Sequence, residues 1–409
     1  MIPQLSSIAA ILTSTLIFLV GNGLLNTLIP VRAHLDGFST FSIGLIGSAY
    51  FAGFVVGCMK GPAWLARVGH IRTFAVCAGL AAAMTLMQSI LVGVVYWIAT
   101  RALFGFAAAA IYMALESWLN DRADNQTRGR VFASYMSVNF GGTLIGQLLF
   151  ATSRPQGFTL FSLSAIFIAL SLIPVGLTSL PQPQPAPVPR LRPWKLFALS
   201  PVGFAGCLSV GLANSAVWML APVYALSLGL SSGAIALFMS AFTVGGTLVQ
   251  VPIGRLSDRM DRRVIIALVC AGAAAAGIAI AFFATPQHIL WAMAGFGVLM
   301  LPLYGLSVAH ANDRIPRQAF VETSATLLLV NALASVAGPT AAALAMDLFG
   351  ARALFFYTAA IHLTMTVFTL VRLRVKEAPG TEHREKFAPL PQQASPGAID
   401  LDPRKDKAA

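Results

Sequence analysis

Two ionised side chains, Arg101 and Glu116, sit inside apolar runs of this chain. Charges at membrane depth are rare, and they are usually paired or functional. A buried carboxylate at Glu116 would favour its protonated form and could take up and release a proton. Its place close to the membrane interface favours the other reading, a structural partner of Arg128 or Arg130. Arg101 could hold an anionic group or bond backbone carbonyls. The two residues share one apolar stretch, about 22 Å apart at helical rise, so they cannot bond each other.

A second set is polar without charge. Asn22, Asn26, Tyr112, Tyr135, Asn139 and Gln147 interrupt apolar runs in the first half, and Asn214, Trp218, Tyr304, His310 and Asn331 do so in the second. Such side chains cannot face lipid cheaply, so they must face protein or water. For any one of them a bond between helices explains its presence as well as contact with a solute does. As a set, amides and aromatics with few charges suit a largely neutral, flat small molecule. The chain offers no metal site, no cofactor motif and no Walker A pattern. His34, His70 and His288 lack spacing partners, which argues against an enzyme. Cys58, Cys77, Cys207 and Cys270 read as small packing residues rather than as disulfide or metal ligands.

Composition decides what must carry these residues. Charged residues make up 10% and hydrophobic residues 57% of the 409, with a mean hydropathy of +0.77. A soluble chain would be about a quarter charged. No aqueous fold hides so much apolar surface, so the solvent is lipid. A span needs about 20 apolar residues. Reading for such runs predicts twelve, near 8–30, 41–60, 71–94, 96–118, 131–152 and 157–179, then 198–221, 232–253, 264–284, 288–310, 320–345 and 352–372. The first is expected to be a retained helix rather than a signal peptide, because it lacks a cationic leader and a cleavage site.

The net charge of +12 need not mean nucleic acid, and no nucleic-acid partner is expected. Of the 27 Lys and Arg, all but Arg32, Arg101, Arg154 and Arg352 fall in the loops of one face, the linker or the tail. By the positive-inside rule both termini are cytoplasmic.

The second half repeats the first at a fixed offset of 192 residues. Asn22 falls on Asn214, Pro30 on Pro222, Tyr112 on Tyr304, Asn139 on Asn331 and Gly146 on Gly338, and the run Asn120, Asp121, Arg122 falls on Asn312, Asp313, Arg314. Apolar repeats share Leu and Ala by chance, but shared Asn, Asp, Arg, Pro and Gly in one register point to a duplicated half. The expected organisation is a bundle over 1–180, a proline-rich linker over 181–195, a second bundle over 196–373 and a solvated tail over 374–409. Six prolines make the linker an extended, semi-rigid strap. The tail has little to bury and is expected to be disordered.

The second and third spans of each bundle are joined by a cationic loop. In the second bundle it is GRLSDRMDRR, carrying Gly254, Asp258, Arg259 and Arg262; in the first, Arg67 and Gly69 remain but Ala66 stands where the acid belongs. Asp258 could cap the positive end of a helix of the first half opening near Gly129 and pair with Arg128 or Arg130, latching one face shut. Alternatively it pairs with Arg262 in a solvated loop, which is worth little. Glu322, with Arg317 nearby, suits a helix N-terminus.

That loop resembles the G-x-L-x-D-R-x-G-R-R pattern of the major facilitator superfamily, departing where Asp261 replaces the second glycine. Asp tolerates a left-handed backbone better than most residues, so the turn is expected to survive. Arg101 and Gly105 resemble the superfamily's R-x-x-x-G. The run from Glu116 through Arg128 and Arg130 to Gln147 is similar to the YcaD-like branch, one group of whose relatives imports riboflavin. The resemblance implies an all-α integral membrane fold of twelve transmembrane helices in two pseudo-symmetric six-helix bundles. It implies a secondary active transporter working by alternating access in a bacterial inner membrane, as a monomer. It places the substrate among Asn22, Asn26, Arg101, Tyr112, Asn139, Asn214, Trp218, Tyr304 and Asn331, and gating among the loop residues, Glu116, Arg128 and Arg130. A riboflavin-like vitamin is the leading candidate substrate, with proton coupling left open. A drug or metabolite efflux carrier and a transport-like sensor are the alternatives. The fifth helix lacks the G-x-x-x-G-P associated with antiporters.

Overall fold

The computed structural model describes residues 2–123, 126–178, 183, 191–315, 319–375 and 387–389, with side chains from residue 8 onward. Lipid offers no hydrogen bonds to the backbone, so a chain this apolar must satisfy its amides within each segment, and helix is the solution. The helices are α1 (Ile2–Leu35), α2 (Thr40–Val68), α3 (His70–Ile90), α4 (Val94–Arg122), α5 (Arg128–Leu149), α6 (Thr159–Leu170), α7 (Leu172–Gly176), α8 (Pro193–Leu199), α9 (Pro201–Ser227), α10 (Ser232–Arg259), α11 (Arg262–Phe283), α12 (Ile289–Met300), α13 (Leu303–Asn312), α14 (Phe320–Phe349) and α15 (Ala353–Val375).

Among the described residues, eleven helices are long and apolar enough to cross a membrane. The twelfth span expected from the sequence is α5. It is a helix of 22 residues where predicted, but Tyr135, Ser137, Asn139, Thr143 and Gln147 make it too polar to qualify on composition alone. Two expected spans are interrupted: the sixth at Ser171, between α6 and α7, and the tenth at Leu301 and Pro302, between α12 and α13. Several hydroxyls inside helices bond back to the preceding turn, as Thr15 does to the Ile11 carbonyl (2.8 Å) and Thr85 to that of Ala81 (2.8 Å).

The chain divides into two compact units, one of Met1–Phe38 and Ala49–Pro189, the other of Ser39–Ser48 and Arg190–Gln392. Each is built on the same close contacts. A Cβ at Gly53 would run into the Ala102 carbonyl oxygen, and one at Gly245 into that of Ala294. Gly105 lies likewise against the Tyr50 carbonyl, and Gly297 against that of Phe242; Gly146 against Val20, and Gly338 against Leu212. Both members of every contact are related by the 192-residue offset, so the duplication read from the sequence recurs in the packing. Small residues let helix backbones approach this closely.

Two local expectations are corrected. The cationic loop is mostly helix: α10 runs to Arg259 and α11 starts at Arg262. Asp261 is not left-handed. Its φ of −63° and ψ of 117° make it the N-cap of α11, its side chain accepting the Arg263 N–H, whereas its counterpart Gly69 has φ 87°. An aspartate cap has replaced a glycine turn.

Apart from residues 183 and 191–195, the expected linker lies outside the described residues, and Pro193 already opens α8. Beyond α15 the tail is described only at Phe387, Ala388 and Pro389.

Candidate functional site

In the first half, α4 brings Arg101 and Glu116 inside. Arg101 is 3% exposed. Its guanidinium carbon stands 4.6 Å from the centroid of the Tyr50 ring and 5.2 Å from that of Phe104. Its Nη2 is 3.4 Å from Asn26 Oδ1, while Nε and Nη1 find no acceptor among the described residues. A cation is stabilised over aromatic faces without using up its N–H donors. The arrangement therefore holds a desolvated positive charge with donors to spare for an incoming oxygen.

Four turns further along α4, Glu116 is fully buried. Tyr135 of α5 donates its hydroxyl to Glu116 Oε1 at 2.5 Å. Asn22 of α1 bonds the Tyr112 hydroxyl. Phe18 meets the Tyr112 ring edge-on at 5.6 Å. The structure thus joins Asn22 to Tyr112, Asn26 to Arg101, and Tyr135 to Glu116. Spare capacity remains at Asn22 Oδ1 and Asn139 Nδ2.

The second half keeps the amides but lacks the network. Asn214, Tyr304 and Asn331 are buried, and neither amide atom of Asn214 nor Asn331 Oδ1 has a partner among the described residues. Trp218 packs edge-on against Phe242 at 5.3 Å.

Charge in the second half gathers where α10 meets α11. Arg262, 2% exposed, donates from Nε to Asp313 Oδ2 at 2.7 Å and from Nη1 to Ser257 Oγ at 2.8 Å, and its Nη1 lies 2.9 Å from Asp258 Oδ1. Asp258 does pair with Arg262, and the arginine is buried and shared with Asp313, while the Asp258 side chain stays 27% exposed. Both Asp258 oxygens also accept the backbone N–H of Phe387, at 3.0 and 3.1 Å. Arg263 pairs with Asp261 at 2.7 Å. Burial works to raise the Asp261 carboxyl, but the hydrogen bonds and charge of Arg263 outweigh it and hold the group below its usual range. Glu322, expected to cap α14, lies in its first turn and pairs with Arg192 at 3.4 Å; Arg317 is outside the described residues.

The matching end of the first half is nearly uncharged inside. His70 stands where Arg262 does and meets Ser117 Oγ at 3.1 Å. Arg128 donates to Asn120 Oδ1 at 3.0 Å. Arg67, Arg130 and Arg259 form no ion pair among the described residues.

The sequence reading missed Tyr50, Asp313 and Phe387. The repeat register offered a signal for Tyr50, a hydroxyl gained where the other copy has Phe242. Asp313 and Asp121 were visible only as a shared triplet.

The fold and its buried polar residues define a duplicated helical membrane protein of the transporter class. A sequence profile described as the Major Facilitator Superfamily matches residues 11–339, and the chain belongs to that family. It is 25% identical over 373 residues to the uncharacterized MFS-type transporter YE1530 of Yersinia enterocolitica, covering 90% of this chain and 96% of that one. It is 28% identical over 370 residues to the uncharacterized MFS-type transporter YcaD of Escherichia coli, covering 89% and 94%. Its fold is similar to that of the nucleoside transporter NupG, with a TM-score of 0.75 at 14% identity over 92% of this chain and 100% of that one. A bacterial homolog of the human lysosomal transporter Spinster, inward-facing and occupied, gives 0.75 at 13% identity over 93% and 98%.

Proposed function

We propose that this membrane transporter is a secondary carrier that moves a small, largely neutral organic solute across a bacterial inner membrane by alternating access, coupled to protons. Both termini face the cytoplasm, the side on which the basic loops collect. The observation that carries the reading is the buried network of α1, α4 and α5. Glu116 is a carboxylate in an apolar interior with a tyrosine donor, and intramembrane carboxylates of this kind are used as proton relays in transporters. Arg101 and the amides of Asn22, Asn26 and Asn139 supply directional donors and acceptors beside the aromatic faces of Tyr50 and Tyr112. In the second half Asn214, Trp218, Tyr304 and Asn331 serve the same solute. A flat heterocycle suits amides interleaved with rings, and a riboflavin-like vitamin is the leading candidate. Asp258, Arg259, Arg262 and Gly254, with Arg67, Gly69, Arg128 and Arg130, belong to the gate.

The test is uptake into proteoliposomes of radiolabelled riboflavin and a panel of flat heterocycles, with and without a proton gradient. Uptake above empty liposomes that collapses with the gradient supports the proposal. Uptake indifferent to the gradient rejects coupling, and no uptake across the panel rejects the solute class.

A further inference from the structure

The two halves differ at one end in a way that the network does not explain. In the first half, α2 carries Pro62 and α4 carries Met113, whose thioether lies 3.0 to 3.1 Å from where a Cβ on Gly61 would stand. At the equivalent positions the second half has Gly254 on α10 and Gly305 on α13. Removing both side chains leaves a slot, and Phe387 of the tail fills it. A Cβ on Gly254 would run into the Phe387 ring, and one on Gly305 would come within 2.9 Å of it. The ring packs on the buried cluster that includes Ile265, Leu303 and Leu306. Ala388 is 6% exposed, and the Phe387 N–H is held by both oxygens of Asp258. Ring, backbone donor and carboxylate are thus matched at one place, in a tail that on composition should bury almost nothing.

We propose that Phe387, Ala388 and Pro389 are a built-in ligand of the second half, seated in the Gly254–Gly305 slot and occupying Asp258. The segment supplies in trans the bulk that Met113 supplies from within its own helix in the first half. Because the ligand is detachable and Met113 is not, this end of the second half has two states. In one, Asp258 is committed to the tail. In the other, the slot is empty and Asp258 is free to change partners. The regulatory consequence rests on reading Asp258 as a gating residue; the docking itself does not.

Trypsin tests the docking without any substrate. Lys386 immediately precedes the seated phenylalanine, and Arg404 in the same tail is the reference site. Cleavage of a docked site tracks the population in which it is released, and burying a phenylalanine ring holds that population down by about tenfold or more. Full-length protein in detergent should be cut at Lys386 at least about tenfold faster in Gly305→Met and in Phe387→Ala than in the wild type, with cleavage at Arg404 unchanged. Gly305→Met installs the first half's own residue and leaves the cleavage site untouched. If it fails to fold, Phe387→Ala lies outside the bundle and still decides the matter. Hydrogen exchange at the Phe387 amide should be slow in the wild type and fast in Asp258→Ala. Equal cleavage of wild type and variants at Lys386, or an unprotected Phe387 amide in the wild type, overturns the proposal. Either result can arise whether or not Asp258 gates.

Discussion

The two halves place the same glycines against the same carbonyls, yet put different chemistry on that shared frame. Arg101, Asn26 and Tyr50 of the first half stand where the second has Met293, Trp218 and Phe242. Glu116 and Tyr135 stand where it has Val308 and Leu327, both buried in its apolar core. The reverse holds at the α2–α3 and α10–α11 junctions, where Ala66 and His70 of the first half correspond in register to Asp258 and Arg262 of the second. The fold does not require a buried carboxylate or guanidinium at these positions, because one copy does without each. Burying them costs desolvation that an apolar pair avoids. What the shared scaffold does not need is what the carrier function proposed above would draw on.

The largest effect should come from breaking the Arg262 cluster. Removing one partner of a buried ion pair leaves the other uncompensated, so Asp313→Ala should lower stability by about 3–5 kcal/mol, read by thermal unfolding in detergent. The equivalent Asp121→Ala, at a site with no buried arginine, should cost much less.

Tyr135→Leu takes one donor from buried Glu116 and should cost about 1–3 kcal/mol. Adding Glu116→Val completes the second half's own pair and should restore most of that loss. A double variant less stable than the single one would mean that the halves are not interchangeable here. Arg101→Met likewise imports Met293. The cation–π contacts it loses are worth about 0.5–2 kcal/mol, and relief of desolvation offsets them, so the melting temperature should move little.

Asp261 both caps α11 and pairs with Arg263. Asp261→Ala should cost at least the cap's share of about 1 kcal/mol. The folded carboxyl titrates below the unfolded one. Its contribution is therefore complete above the ordinary aspartate value and is lost as pH falls through the lower folded value. The melting difference from wild type should be constant at neutral pH and shrink below about pH 4.

The helices and the duplication were legible because lipid imposes a crude, repeated constraint: apolar runs of fixed length and glycines at fixed register. The positions of Asn22, Tyr112 and Glu116 in the buried interior followed from the same constraint. Their partners did not, since a run of letters does not say which turn of α5 faces α4, and the hydroxyl that meets Glu116 is Tyr135. Asp261 was misread because the sequence suggested a conserved turn where the chain uses a different device, a cap, to start α11. Phe387 was invisible for another reason. Its site is made by two absences, at Gly254 and Gly305, and only the comparison with Pro62 and Met113 shows that something is missing there.

The most direct test is gradient-driven uptake by the Glu116→Val, Tyr135→Leu double variant, in proteoliposomes loaded as for the wild type. A folded protein of near wild-type melting temperature whose uptake no longer responds to the proton gradient is the predicted result. Gradient-driven uptake equal to the wild type's would contradict it, and would return the first half's buried carboxylate to the status of a packing residue.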